Sequence, residues 1–114
     1  MARHDPVVRI RHMLDHAREA VAMVQSRSRA DLDTDRMLNL ALVRLMEIVG
    51  EAATQVPEQF RLRYPQTPWR DVADLRNRLI HGYDTINFDI LWAIVHADLP
   101  NLIKQLEVIV ENEQ

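Results

Sequence analysis

The apolar residues Leu38, Leu42, Leu45, Val49, Ala52 and Val56 recur at three- and four-residue intervals, so a helix over about Thr34–Val56 puts them on one face. Met37, Ala41, Ile48 and Ala53 widen that stripe beyond the width a surface helix needs. A helix apolar over so much of its circumference has to be covered from more than one side. The rest of the chain must therefore supply other helices. Gly50 interrupts the run at a cost of about 1 kcal/mol relative to alanine. The expected return is a close approach of a neighbouring helix.

The flanking segments supply the cover. Asp5 as N-cap and Pro6 at the first helical position start a helix to about Gln25, with Val7, Ile10, Leu14, Ala17, Val21 and Val24 as its stripe. The polar connector 26-SRSRADLDTD-35 leads into the central helix and has room for a short helical turn. Pro57 ends the central helix and opens a short one through about Tyr64, with Phe60 and Tyr64 as its packing face. After the loop 65-PQTP-68, Thr67 as N-cap and Pro68 start another helix with Val72, Leu75 and Leu79 inward and Gly82 at its left-handed end. A last helix begins near Asn87 as N-cap and carries Leu91, Ile94, Leu102, Leu106 and Ile109, with Pro100 expected to kink or split it. No strand alternation or internal repeat competes. The expectation is all-α: one domain over residues 1–114, an antiparallel four- to five-helix bundle.

Several functional classes are excluded or disfavoured. The 114 residues contain no cysteine, which removes disulfides and thiolate chemistry and suits a reducing, cytoplasmic setting. No apolar run approaches the roughly 20 residues of a membrane span, and MARHDPVVRIRH lacks the apolar centre of a signal peptide. The net charge of -3 gives no global attraction to nucleic acid, but the charge is unevenly placed. Residues 61–78 hold five arginines against Asp71 and Asp74, and an acidic segment follows from Asp84. Arginine's planar fork suits phosphate or carboxylate.

The stretch 75-LRNRLIHGYDTIN-87 holds the most unusual polar cluster. At about 100° per helical residue, Asn77 and His81 share a face, Arg76 lies beside them, and Tyr83 returns to the Arg76 side. Histidine titrates near neutrality and serves as general acid or base. Arginine stabilises charge on a phosphorane, and Asn77 and Arg78 are placed to hold or orient a phosphate. Such a set is sufficient for RNA cleavage without metal: the 2′-OH attacks phosphorus, histidine moves the proton, and arginine takes the developing charge. A two-fold dimer would supply two histidines and two arginines. The same residues admit a structural reading, in which His81 caps the helix and Arg76 pairs with Asp74 or with Glu47.

Other candidates are weaker. His12 and His16 stand at a metal-compatible spacing but lack a companion motif. Trp69 and Trp92 read as core or interface aromatics. Of Glu47 and Glu51, one is expected to orient an arginine across the bundle.

From the central helix onward the chain resembles the HepT-like branch of the HEPN (higher eukaryotes and prokaryotes nucleotide-binding) domains. The matching pieces are 47-EIVGEAA-53, 68-PW-69, 76-RNRLIHGY-83, Trp92 and 99-LPNLIKQLE-107, covering about two thirds of the chain. Arg76, His81 and Tyr83 meet the family's R-x-x-x-x-H-x-Y motif, with Asn77 at its polar position. The resemblance implies an all-helical homodimer acting as a metal-independent RNA endonuclease toxin, with Arg76 and His81 as the catalytic pair and no cofactor. It also implies a small nucleotidyltransferase of the MNT type as antitoxin, with Tyr83 as the residue it adenylylates. The alternative is a non-catalytic subunit that binds nucleotide or substrate for that transferase, or a plain helical scaffold.

Overall fold

The computed structural model describes residues 5–80 and 85–114. Helix α1 (Pro6–Met23) starts as its sequence demands: Asp5 accepts from Val7 N at 2.9 Å and Pro6 opens the helix. After a turn in which Ser26 takes φ 65°, the polar connector forms the short α2 (Asp31–Thr34). The central helix α3 (Arg36–Thr54) is capped by Asp35, which accepts from Leu38 N at 3.0 Å. It packs chiefly on α1 and also meets α2 and the later helical segments Trp69–Ala73, Leu75–Leu79 and Phe88–Ala93. Its stripe residues Leu42 and Val49 are fully buried, and so is Met46, which the stripe did not include, whereas Met37, expected to widen the apolar face, is 83% exposed near the start of the helix. The one buried amide on this helix, Asn39, donates to Leu32 O at 3.0 Å and so ties α2 down.

Pro57 precedes α4 (Glu58–Leu62), where Phe60 is buried and sits 5.4 Å from the Tyr64 ring. Tyr64 and Arg63 both donate to Glu113, which fastens the end of the chain to this corner. The Tyr64 hydroxyl is consequently pushed above its ordinary pKa and the Glu113 carboxyl held below its own. The next helical run differs from its expected form. It begins at Trp69 rather than Pro68, and Asp74 divides it into α5 (Trp69–Ala73) and α6 (Leu75–Leu79). At this junction the Asp74 carboxylate accepts from the Asn77 side chain at 2.7 Å. The run ends at Leu79, not near Gly82, because Ile80 turns extended and pairs with Ile86 in an antiparallel bridge. Asn87 N donates to Leu79 O at 2.9 Å and locks the same closure.

Asn87 caps α7 (Phe88–Ala93) by accepting from Ile90 N at 3.1 Å. The interruption expected at Pro100 takes the form of a π-helical segment, Ile94–Asp98, between α7 and α8 (Leu99–Asn112). Proline has no N–H for the carbonyl four residues back, and the wider turn absorbs the mismatch. The long bodies α1, α3, α5–α6 and α7–α8 thus form the bundle, more finely segmented than periodicity alone indicates.

One connector makes stability depend on acid. Arg27 donates to Asp31 at 3.3 Å and to Asp35 at 2.6 Å. Arg27, with Leu38 N, holds Asp35 below the usual carboxylate range; Ser28 N, with Arg27, does the same for Asp31. Carboxyls depressed in the folded state contribute stability that is complete above their unfolded pKa, about 3.9, and lost as pH falls through the folded values. The melting temperature should therefore hold down to about pH 5 and drop below it. Arg27→Ala should lower the neutral plateau and flatten the acid drop. Melting curves from pH 7 to 2 that keep the same acid slope in both proteins would refute the assignment.

Candidate active site

The site is built where α6 leaves the bundle. Leu75 and Leu79 are buried against the core, and this fixes α6 in rotation. Arg76, one residue from Leu75, is turned to a cleft of about 160 Å³ lined by Val43, Glu47, Leu79, Ile80, Thr85 and Ile86. The Arg76 side chain is 70% exposed, and its Nε stands 3.4 Å from Glu47 Oε2 on α3. Of the two carboxylates in question, Glu47 therefore meets an arginine across the bundle, while Glu51 accepts from Gln55 at 3.3 Å. The other Glu47 oxygen, Oε1, lies 3.6 Å from Arg44 Nη1, so one carboxylate stands between two guanidiniums.

The remaining members of the sequence cluster do not all gather in this cleft. Asn77 donates to Asp74 at 2.7 Å. Arg78, two residues and so about 200° round the helix from Arg76, donates to Asp98 at 3.3 Å and lines a separate groove with Asp71 and Asn101. His81 and Tyr83 lie outside the described residues. Because α6 ends at Leu79, helical spacing does not relate His81 to Asn77. Ile80 and Thr85, the described residues on either side of 81–84, both line the Arg76 cleft.

The basic segment is also more dispersed than its sequence suggests. Arg63 is held by Glu113 over the Phe60 ring, 5.0 Å from its centroid, and Arg61 and Arg70 line a shallow surface near Asp74. Trp69 is buried with its indole N–H on Tyr64 O at 3.0 Å, and Trp92 stacks on His96 at 5.4 Å. His16 Nδ1 donates to His12 O at 2.6 Å, a bond within one helix. Among the described residues, no group of three or more His, Asp or Glu side chains is placed to share a metal ion. Among the described residues, no helix is long and apolar enough to cross a membrane. Arg44 escaped sequence reasoning, although its position three residues before Glu47 puts both on one face of α3.

Comparison with known proteins converges on one family. The HepT-like profile, described as ribonuclease HepT-like, matches residues 13–109. A protein of Caldanaerobacter subterraneus subsp. tengcongensis, named as a candidate RNase, is 33% identical over 105 residues, covering 92% of this chain and 94% of its own. A protein of Thermococcus cleftensis named "Probable ribonuclease HepT" is 33% identical over 98 residues, covering 82% and 89%. A further candidate RNase, from Methanocaldococcus jannaschii, is 30% identical over 109 residues, covering 96% and 100%. No solved structure gives a significant match.

Proposed function

We propose that this chain, which belongs to the HepT-like ribonuclease family, is an RNA endonuclease that works as a homodimer through Arg76 and His81. The observation that carries the reading is the open Arg76 fork, 70% exposed and 3.4 Å from Glu47, just before the segment bearing His81 in sequence. The names of the relatives point to the same class. In the reaction, the 2′-oxygen of a ribose attacks the adjacent phosphorus and its proton passes to His81. Arg76 takes the charge that develops on the non-bridging oxygens. The bond from phosphorus to the 5′-oxygen breaks, and that oxygen takes a proton from the His81 of the second protomer. The products are a 2′,3′-cyclic phosphate and a 5′-hydroxyl, and no metal takes part. Asn77 and Arg78 would hold flanking phosphate oxygens on exchanging Asp74 and Asp98, since exposed pairs contribute only about 0–1 kcal/mol. A two-fold dimer closing over the exposed side chains of Met37, Leu40 and Ile80 would bring two such clefts together.

The reading extends to regulation. A nucleotidyltransferase antitoxin of the MNT type would transfer AMP from ATP to the Tyr83 oxygen, with pyrophosphate leaving. The added phosphodiester would occupy Arg76 and obstruct the cleft.

The test is incubation of the purified chain with RNA in EDTA. The expected result is endonucleolytic cleavage that persists under chelation and leaves cyclic phosphate ends. RNA left intact, or cleavage that needs added metal, would overturn the reading. RNA bound but not cut would favour the non-catalytic binding subunit.

A further inference from the structure

Glu47 is shared by two neighbourhoods. On one flank it meets Arg76 in the cleft already described. On the other it lines a groove of about 190 Å³ between α1 and α3, together with Arg9, His12, Arg44, Glu51 and Gln55. The two guanidiniums beside Glu47 are alike: the Arg44 and Arg76 side chains are each 70% exposed, and each stands 3.4–3.6 Å from one carboxylate oxygen. One negative charge between two positive ones leaves a local surplus, and most of each fork's donors still face outward. In the groove behind Arg44, Arg9 Nε is buried with no hydrogen-bond partner among the described residues. A buried donor without a partner calls for an acceptor. Glu51, the second acid here, already takes a hydrogen bond from Gln55. The surplus matters because the whole chain carries net charge -3 and must gather a polyanion locally.

We propose that Arg44, backed by Arg9 and His12, is a second phosphate-binding site that carries the RNA backbone from the Arg76 cleft over Glu47 into the α1–α3 groove. This rests on the nuclease reading and adds a direction to it: the strand crosses α3 rather than following the arginines of residues 61–78. Glu47 then positions both forks and is itself outside the reaction.

The experiment measures binding and cleavage separately. Binding of a 12-nucleotide RNA made uncleavable by 2′-O-methylation is followed by fluorescence anisotropy in EDTA at several salt concentrations. Each phosphate contact on a single strand contributes about 0.7 to the slope of log affinity against log salt. Arg44→Ala should reduce that slope by about 0.7. Arg18→Ala should leave it unchanged, since Arg18 is half a turn round α1 from Arg9 and pairs with Glu107 at 2.6 Å. On cleavable RNA, Arg44→Ala should raise KM without lowering kcat, and a dinucleotide too short to reach the groove should be cut equally by both proteins. Equal slopes for Arg44→Ala and Arg18→Ala, or no binding of the 12-mer by the unaltered chain, overturn the proposal. Binding with the expected slopes but no cleavage would sink the nuclease reading and leave the phosphate site standing.

Discussion

Arg76→Ala is expected to lower kcat for RNA cleavage by about 10²–10³-fold, the usual cost of removing one preorganised donor from a developing oxyanion. The melting temperature should barely move. The side chain is 70% exposed and its one ionic partner among the described residues is Glu47 at 3.4 Å. A surface pair of that kind contributes about 0–1 kcal/mol, and Glu47 keeps Arg44 at 3.6 Å after the change. Stability and activity are thus separable at this position, which distinguishes a catalytic arginine from one that merely ties α6 to α3. Arg76→Lys keeps the charge but loses the planar fork, so it should recover only part of the rate. His81→Ala should cost about 10²–10⁴-fold, the range for a missing general acid or base. Its companion readout is the pH profile, which should lose a limb in the neutral region. A folded Arg76→Ala protein that cuts RNA within a few-fold of the unaltered chain would remove Arg76 from the reaction.

The sequence and the structure agree where local chemistry decides and part where tertiary pairing does. Asp5 and Asn87 read as N-caps because their side chains have an adjacent backbone N–H to satisfy, and both make those bonds. Pro100 signals an interruption by lacking a donor, although only the fold selects a π segment over a sharp kink. The breadth of the α3 stripe announces its central place. By contrast, the end of α6 is set by a bridge between Ile80 and Ile86, a contact that periodicity along residues 68–82 does not encode. The same bridge removes the helical argument that put His81 on the Asn77 face. Arg76 and Arg78 look equivalent in sequence, yet the burial of Leu75 and Leu79 turns them to different grooves. Glu47 as the partner of Arg76 was one of two pairings the spacing allowed. Asp74 takes Asn77 instead.

That dependence of the site on packing makes Gly50 the most informative position away from the cleft. A Cβ at Gly50 would lie 3.1 Å from Val72 O, 3.5 Å from Ala73 O and 3.7 Å from Leu75 Cβ. The first two are backbone atoms, so α5 and the start of α6 must move to admit a side chain. For Gly50→Ala the gain in helix propensity, about 1 kcal/mol, offsets a shift of a few tenths of an ångström. For Gly50→Val the added methyls have no such compensation, and the cost should be about 1–3 kcal/mol. The displacement also acts on chemistry, because Glu47 stands one turn before Gly50 on α3 while Arg76 follows Leu75. Pushing the two helices apart opens the Arg76–Glu47 pair at 3.4 Å. Ile109→Val, a fully buried change on α8, supplies a comparison that costs about 0.5–1.5 kcal/mol without touching α6. Measured well below both melting temperatures, Gly50→Val should cleave RNA more slowly than Ile109→Val. Equal cleavage by the two variants would mean that the α3–α6 spacing does not set the position of Arg76, and an unchanged melting temperature for Gly50→Val would deny the close approach itself.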